Sequence, residues 1–226
     1  VYGIEAVVKK VSLPVLSRSV DNPQRQLRMV RRSIRLLSSL IFPVAFWMIL
    51  VADPLTVVLL GPEWARSSDF LKILSIASLF LPIAFVAPSL LLSHGRSRTV
   101  LAFETSRTAL NLAFIAVAIP FGITMVLWGH VMASAIGMGM AWGLLYRSMG
   151  YSLKMLGEDS LLPLLVSLLL FGAMLLFESG SGGDSTWSKL VFQSMIFWGG
   201  FAVFCRVLDL EPNRLFREIR AKEDTG

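Results

Sequence analysis

The longest stretch without a charged side chain does most to limit how this chain can fold. Residues 108–146 contain no Asp, Glu, Lys or Arg. As one continuous helix this stretch would extend about 58 Å at 1.5 Å per residue, whereas the hydrocarbon core of a membrane is about 30 Å thick. Two crossings joined by a turn at Pro120, Phe121 and Gly122 account for that length. The sequence therefore predicts a bundle of helices that crosses a membrane.

Other apolar windows extend this prediction along the chain. Six spans are predicted within a membrane bundle covering 36–208, at about residues 36–60, 70–93, 99–120, 123–146, 161–178 and 187–208. Residues 1–17 are interpreted as a seventh helix, either partial or lining a cavity, and an amphipathic helix on the membrane surface is the alternative. The predicted fold class is all-α, a polytopic bundle of about seven transmembrane helices. Hydrophobic residues make up 55% of the chain and charged residues 16%, which argues against a soluble enzyme.

Basic residues indicate which ends of the spans lie in the cytoplasm. Connections rich in Lys and Arg alternate with connections that are not, and cytoplasmic loops are the ones that concentrate these residues. Segment 18–35 is predicted to be a cytoplasmic basic amphipathic segment, and 209–226 a cytoplasmic tail. The six arginines of the segment are Arg18, Arg25, Arg28, Arg31, Arg32 and Arg35.

The apolar side of that segment is expected to rest on the anionic cytoplasmic leaflet. Arg25, Arg28, Arg32 and Arg35 share one helical face, and the opposite face consists of Leu27, Val30, Ile34 and Leu37. A basic face this short, joined directly to a membrane span, argues against nucleic-acid binding. The expected contacts are therefore membrane lipids.

A polar stripe in the third span supplies the main candidate site. Glu104, Arg107, Thr108 and Asn111 have helical spacing and share one face. Such side chains are costly in lipid, so they are expected to line the bundle interior or a wet cavity, and an ion pair near the headgroups is the alternative. Lys9 and Lys10 are further candidates, because a cationic lining attracts a phosphate-bearing substrate.

Two weaker features concern conformational change. Asp53, followed by Pro54, is interpreted first as a carboxylate at a kink near the membrane interface, with an ion-coupling role as the less favoured hypothesis. In the fourth span, small residues form two rows that predict a central helix packed on two sides. One row is Gly129, Ala133, Gly137 and Ala141, and the other is Ala135, Gly139 and Gly143.

Signatures of catalysis and cofactor binding are missing from the sequence. Neither His94 nor His130 has a partner acid in a recognisable motif, and Cys205 is the single cysteine. No phosphate loop or dinucleotide fingerprint occurs. We therefore expect a protein that is not an enzyme, binds no metal and needs no cofactor.

Three stretches together resemble a known family. They are Pro14-Val15-Leu16-Ser17-Arg18 with Asp21, then Leu60-Gly61-Pro62-Glu63-Trp64, then Ser93-His94-Gly95-Arg96. In this order they resemble the C-terminal half of bacterial polysaccharide flippases, the O-antigen and exopolysaccharide branch of the multidrug/oligosaccharidyl-lipid/polysaccharide exporter superfamily. The resemblance implies the second lobe of a fourteen-helix, two-lobe transporter in the bacterial cytoplasmic (inner) membrane. We therefore expect a fragment that lacks the N-terminal lobe of the same protein.

The resemblance also implies a function. Flippases of this kind move a polyprenyl-pyrophosphate-linked oligosaccharide to the outer leaflet by alternating access, driven by an ion gradient. Polysaccharide polymerases or glycosyltransferases are the implied partners, besides membrane lipids and the lipid-linked oligosaccharide. A cation-coupled multidrug exporter of the same superfamily is one alternative. A non-transporting membrane scaffold for polysaccharide assembly is the other.

Overall fold

Helices account for nearly all of the residues that the structure describes. The computed structural model describes residues 23–178 and 186–207. The helices in chain order are α1 (Pro23–Leu60), α2 (Ser67–Ser78), α3 (Leu81–Ser93), α4 (Ser97–Ala118), α5 (Ile123–Met149), α6 (Leu153–Glu178) and α7 (Thr186–Val207), with short 3-10 turns at Pro62–Trp64 and Ile119–Phe121. The predicted segments 1–17 and 209–226 lie outside the described residues.

The chain is an all-α helix bundle of the membrane type, as predicted. Four described helices are long and apolar enough to cross a membrane: α1, α4 with its following 3-10 turn, α5 and α6. The pair α2 and α3, bent by 44°, adds a fifth span if it is taken as one broken helix. The described apolar part of α7, Val191–Ala202, is shorter. Several apolar helices in one chain are what a multi-pass membrane protein requires.

Helix α1 joins the predicted basic segment to the first predicted span. It runs for 38 residues, about 57 Å at 1.5 Å per residue, and so is much longer than one membrane crossing. No Gly or Pro occurs between Pro23 and Pro43, so nothing breaks the helix where the basic segment meets the first span. From Pro23 onward the basic segment is therefore a direct extension of the span.

The predicted span 70–93 is instead two helices that meet at an angle. Helix α2 ends at Ser78, and α3 begins at Leu81 with Pro82 in its first turn. Proline has no N–H to donate to the preceding turn, and its ring clashes with the carbonyl four residues earlier. Because a first-turn position needs no such bond, Pro82 ends one helix and is tolerated at the start of the next.

The turn between α4 and α5 lies where the sequence predicts it. Pro120 is in the 3-10 turn, and Gly122 follows with a φ of 91°, a backbone conformation that strongly favours glycine. Helices α4 and α5 therefore form an antiparallel pair, and they pack along their length.

One end of the bundle contains a core built from five helices. Val30 and Ile34 of α1, Leu90 of α3, Phe103 of α4 and Leu145 of α5 are buried there, together with the start of α6. We call this end, where the arginines of α1 also lie, the basic end. The expectation that the apolar face of the basic segment rests on the membrane is wrong, because neighbouring helices cover Val30, Ile34 and Leu37. Arg25, Arg28, Arg32 and Arg35 are exposed, as the amphipathic pattern predicts.

The two rows of small residues in α5 have different surroundings. Gly129, Ala133, Gly137 and Ala141 are buried, whereas Gly139 is exposed. A Cβ added at Gly139 or Gly143 would meet no heavy atom within 4 Å among the described residues. In the described part of the bundle the first small-residue row of α5 is therefore buried, whereas the second is half-buried at Ala135 and Gly143 and exposed at Gly139.

Candidate functional site

The seam between α4 and α5 brings together the polar residues of the predicted stripe. The Nη2 of Arg107 donates to Oε2 of Glu104 at 2.9 Å, and both side chains are about one-third exposed, at 31% and 32%. Gly137 of α5 lies beside this pair, where an added Cβ would be 3.3 Å from Cγ of Arg107. The missing side chain at Gly137 thus makes room for the aliphatic stem of Arg107.

A second polar pair continues the seam about one helical turn further from the basic end. The Nδ1 of His130 lies 2.9 Å from Oδ1 of Asn111. An amide oxygen can only accept a hydrogen bond, so Nδ1 carries the proton and Nε2 is left with a lone pair. Beyond this pair, Gly129 backs against the main chain of Phe114. We call Glu104, Arg107, Asn111 and His130 the polar seam.

The side of α4 turned away from the bundle is also polar. Thr105 and Thr108 are exposed there and, with Glu104, Ala109 and Leu112, line a shallow open depression of about 370 Å³. In the apolar window of α4 only 6% of the residues are buried, against 44% in α1. Helix α4 therefore lies at the edge of the described bundle, with hydroxyl groups on its outer surface.

The candidate residues from the sequence fall into three groups. Glu104, Arg107 and Asn111 lie together in the polar seam, while Lys9 and Lys10 lie outside the described residues. Asp53 does not join the seam, because its two carboxylate oxygens accept from Nζ of Lys72 in α2, at 2.7 and 2.8 Å. It is therefore held by a lysine from a neighbouring helix.

An acidic centre that the sequence did not predict lies at the basic end. Asp159 of α6 has no exposed side-chain area, and it accepts from Nε of Arg31 at 2.9 Å and from Nη2 of Arg35 at 2.9 Å. The Nη2 of Arg31 also donates to Glu158 at 2.7 Å, and the hydroxyl of Tyr151 donates to Asp159 at 3.2 Å. We call these five residues the Asp159 network.

The electrostatics of the Asp159 network keep Tyr151 protonated. Burial raises the pKa of the Tyr151 phenol above its usual value, and the negative charge of Asp159 raises it further. The phenol therefore remains a hydrogen-bond donor to the carboxylate at physiological pH. The network joins α1 to α6 and holds the extended part of α1 against the bundle.

The acidic centre and the pairing of Asn111 with His130 were not predicted, but both had a signal in the sequence. Glu158 and Asp159 are two adjacent acids directly before an apolar span, at the end where the arginines concentrate. Asn111 and His130 stand at nearly equal distances from the predicted turn at Pro120, so an antiparallel hairpin places them side by side. Neither pairing follows from composition alone, because each needs the helices to be docked first.

Comparison with known proteins adds one finding on function. Residues 1–69 match the family model described as a polysaccharide biosynthesis protein. This match supports a role for the chain in polysaccharide biosynthesis. The matched part contains all of α1 and the turn after it, and two of the three stretches on which the resemblance rests: Pro14-Val15-Leu16-Ser17-Arg18 with Asp21, and Leu60-Gly61-Pro62-Glu63-Trp64. No curated protein and no solved structure matches the chain.

Proposed function

We propose that this chain is part of a flippase that moves a polyprenyl-pyrophosphate-linked oligosaccharide across the bacterial cytoplasmic membrane. The family match over residues 1–69 supports a role in polysaccharide biosynthesis. The observation that carries the proposal is the polar seam, an array of ionisable and amide side chains on two helices that are each long and apolar enough to span. Polar groups at such depth are costly in lipid and mark substrate or ion pathways.

Arg107 is the residue that we assign to the pyrophosphate. A guanidinium binds phosphate oxygens through two parallel N–H donors, and its charge does not depend on pH. Glu104 neutralises Arg107 and fixes the direction of its guanidinium. Thr105 and Thr108, exposed on the same helix, offer hydroxyl groups suited to sugar hydroxyls.

The outer surface of α4 then borders the transport cavity. We propose that the N-terminal lobe of such a two-lobe flippase faces it, together with Gly139 and Gly143. Small residues permit close approach of helices in a membrane, which suits an interface that rearranges during alternating access. The lysine pair Lys9 and Lys10 would add to the cationic lining of this cavity.

We place the basic end in the cytoplasm, with the C-terminus on the same side. Lys and Arg concentrate in cytoplasmic loops, and the start of α1, the connection from α3 to α4 and the connection from α5 to α6 all lie at this end. The protein proposed here is not an enzyme and needs no cofactor. Polysaccharide polymerases or glycosyltransferases would supply or receive the lipid-linked oligosaccharide.

Complementation in a flippase-deficient host strain tests this function. The intact gene that encodes the chain should restore surface polysaccharide. The variant Arg107→Ala should restore at most about one-tenth as much, because it loses a charge-assisted hydrogen bond to phosphate. Arg98→Ala is the matched control, since Arg98 is an exposed arginine on the same helix, and it should behave as wild type. Membrane levels of each variant are compared by immunoblot.

The outcomes separate the proposal from its alternatives. Normal surface polysaccharide with Arg107→Ala at normal expression would contradict the substrate role of Arg107 and favour a non-transporting scaffold. Resistance to toxic cations or dyes, without restored polysaccharide, would instead indicate a multidrug exporter of the same superfamily.

A further inference from the structure

Two nitrogen atoms of the polar seam have no hydrogen-bond partner in the described part of the chain. They are Nε2 of His130 and Nδ2 of Asn111, and both side chains are half-buried rather than enclosed. We propose that Asn111 and His130 form a subsite that recognises hydroxyl groups of the sugar joined to the pyrophosphate. This inference rests on the proposed transport function and adds a source of sugar selectivity to it.

The hydrogen bond between these two residues determines what each of the two nitrogens can do. Nδ1 of His130 donates to Oδ1 of Asn111 at 2.9 Å, so in the neutral ring Nε2 carries a lone pair and can only accept. The amide nitrogen of Asn111 keeps its N–H groups and can only donate. The pair therefore presents one acceptor and one donor side by side, both without charge.

Among the three parts of a lipid-linked oligosaccharide, the sugars match this pair. A hydroxyl group both donates and accepts, so one hydroxyl can donate to Nε2 of His130 while its neighbour accepts from Asn111. The oxygens of an ionised pyrophosphate only accept, and the polyprenyl chain does neither. A pyrophosphate here would leave the lone pair of Nε2 unsatisfied, which is costly away from water.

The spacing along α4 assigns the pair to the first sugar. Asn111 follows Arg107 by four residues, about 6 Å along the helix axis. With the pyrophosphate at Arg107, the next group within reach of Asn111 is the sugar bonded to that pyrophosphate. Glu104 belongs to the polar seam and also lines the depression on the outer side of α4, so open space lies directly beside the seam.

The packing of the two helices holds the pair at a fixed separation. Gly129, which precedes His130, lies so close to α4 that an added Cβ would be 3.2 Å from the backbone oxygen of Phe114. Helices α4 and α5 pack along their length around this point. A site on packed helices keeps its geometry better than a site on a loop, and selection of one hydroxyl depends on such geometry.

Transport by the intact protein in proteoliposomes tests this inference. The probes are a fluorescent polyprenyl-pyrophosphate oligosaccharide, the parent, and a set of analogues that each lack one hydroxyl of the sugar joined to the pyrophosphate. We expect wild type to move two analogues, those lacking either of two neighbouring hydroxyls, about fivefold to tenfold more slowly than the parent. Each of these analogues leaves one polar atom of the subsite unpaired.

Two variants show whether the pair makes this selection. His130→Phe removes the acceptor, and it should move the parent and one of the two slow analogues at equal rates. Asn111→Leu should move the parent and both slow analogues at equal rates, because Asn111 donates to the sugar and also orients the imidazole. His94→Phe is the matched control, since His94 is an exposed histidine after α3, and it should keep the wild-type ratios.

The ratio of rates separates recognition from a structural role. A structural role would slow the parent and every analogue by the same factor and leave the ratios unchanged. Unchanged ratios in His130→Phe, or a wild type that moves every analogue as fast as the parent, would therefore contradict this inference while the proposed function stands. If wild type does not move the parent, the proposed function fails and this inference fails with it.

Discussion

The Nε of Arg31 donates to Oδ2 of Asp159 at 2.9 Å and so joins α1 to α6 across 128 positions of the chain. The carboxylate has no exposed side-chain area, while 27% of the Arg31 side chain and 49% of the Arg35 side chain remain exposed. A buried carboxylate needs its hydrogen bonds, whereas partly exposed arginines can be hydrated. The stability of this contact therefore depends on how many donors reach Asp159.

Replacing Arg31 should destabilise the protein more than replacing Arg35. Arg31 donates to both oxygens of Asp159 and to Glu158, whereas Arg35 makes a single bond. We expect Arg31→Leu to lower the free energy of unfolding by about 2 to 3 kcal/mol and Arg35→Leu by about 1 kcal/mol. Thermal unfolding in detergent measures both. Arg28→Leu, an exposed arginine on the same helix, should stay within about 0.5 kcal/mol of wild type, and equal losses for all three would refute this account.

The close contact between α4 and α5 depends on Gly129. A Cβ added there would lie 3.2 Å from the backbone oxygen of Phe114, and a backbone atom cannot move aside as the end of a flexible side chain can. We expect Gly129→Ala to destabilise the protein by about 1 to 2 kcal/mol. Gly139→Ala is the control, because its Cβ would meet no described atom and alanine favours a helix by about 1 kcal/mol. If Gly129→Ala and Gly139→Ala shifted the melting temperature in the same direction, this explanation of Gly129 would be contradicted.

Local signals predicted the helices, but not how they dock. The uncharged stretch and the Pro120 to Gly122 turn identified the α4–α5 hairpin, since span length and turn residues are properties of neighbouring positions. The break before Pro82 also had a local cause, although an apolar window alone did not indicate it.

Contacts between residues that are far apart in the sequence explain where the structure differs from the sequence predictions. Val30 and Ile34 have the pattern of a membrane-surface helix, and only the arrival of α3, α5 and α6 at the basic end makes them a protein core. The stripe of Glu104, Arg107 and Asn111 was predicted from helical spacing, yet its partners on α5 required the register of the hairpin. The pairing of Asp53 with Lys72 depends in the same way on how α1 and α2 pack.

The pairing of Asp53 with Lys72 makes a specific prediction about ion coupling. Asp53 is 63% exposed on its side chain, and exposed ion pairs contribute about 0 to 1 kcal/mol. Asp53→Asn should therefore leave stability nearly unchanged and restore surface polysaccharide as wild type does. The measurements are thermal unfolding in detergent and the complementation assay, with Lys72→Gln as the companion variant. Loss of surface polysaccharide in Asp53→Asn at normal membrane levels would instead give this carboxylate a role in transport.

The phenol of Tyr151 should make stability fall at alkaline pH. Its folded-state pKa is raised by burial and by Asp159, so the folded protein retains the proton when the unfolded chain, with a pKa near 10, has lost it. This contribution is fully present below about pH 10 and is lost as the pH rises from there through the raised folded value. At pH 7, Tyr151→Phe should cost about 1 kcal/mol for the hydrogen bond to Asp159. Thermal unfolding from pH 7 to pH 11 should then show the difference between wild type and Tyr151→Phe shrinking above pH 10, and a constant difference would show that the phenol does not titrate in this way.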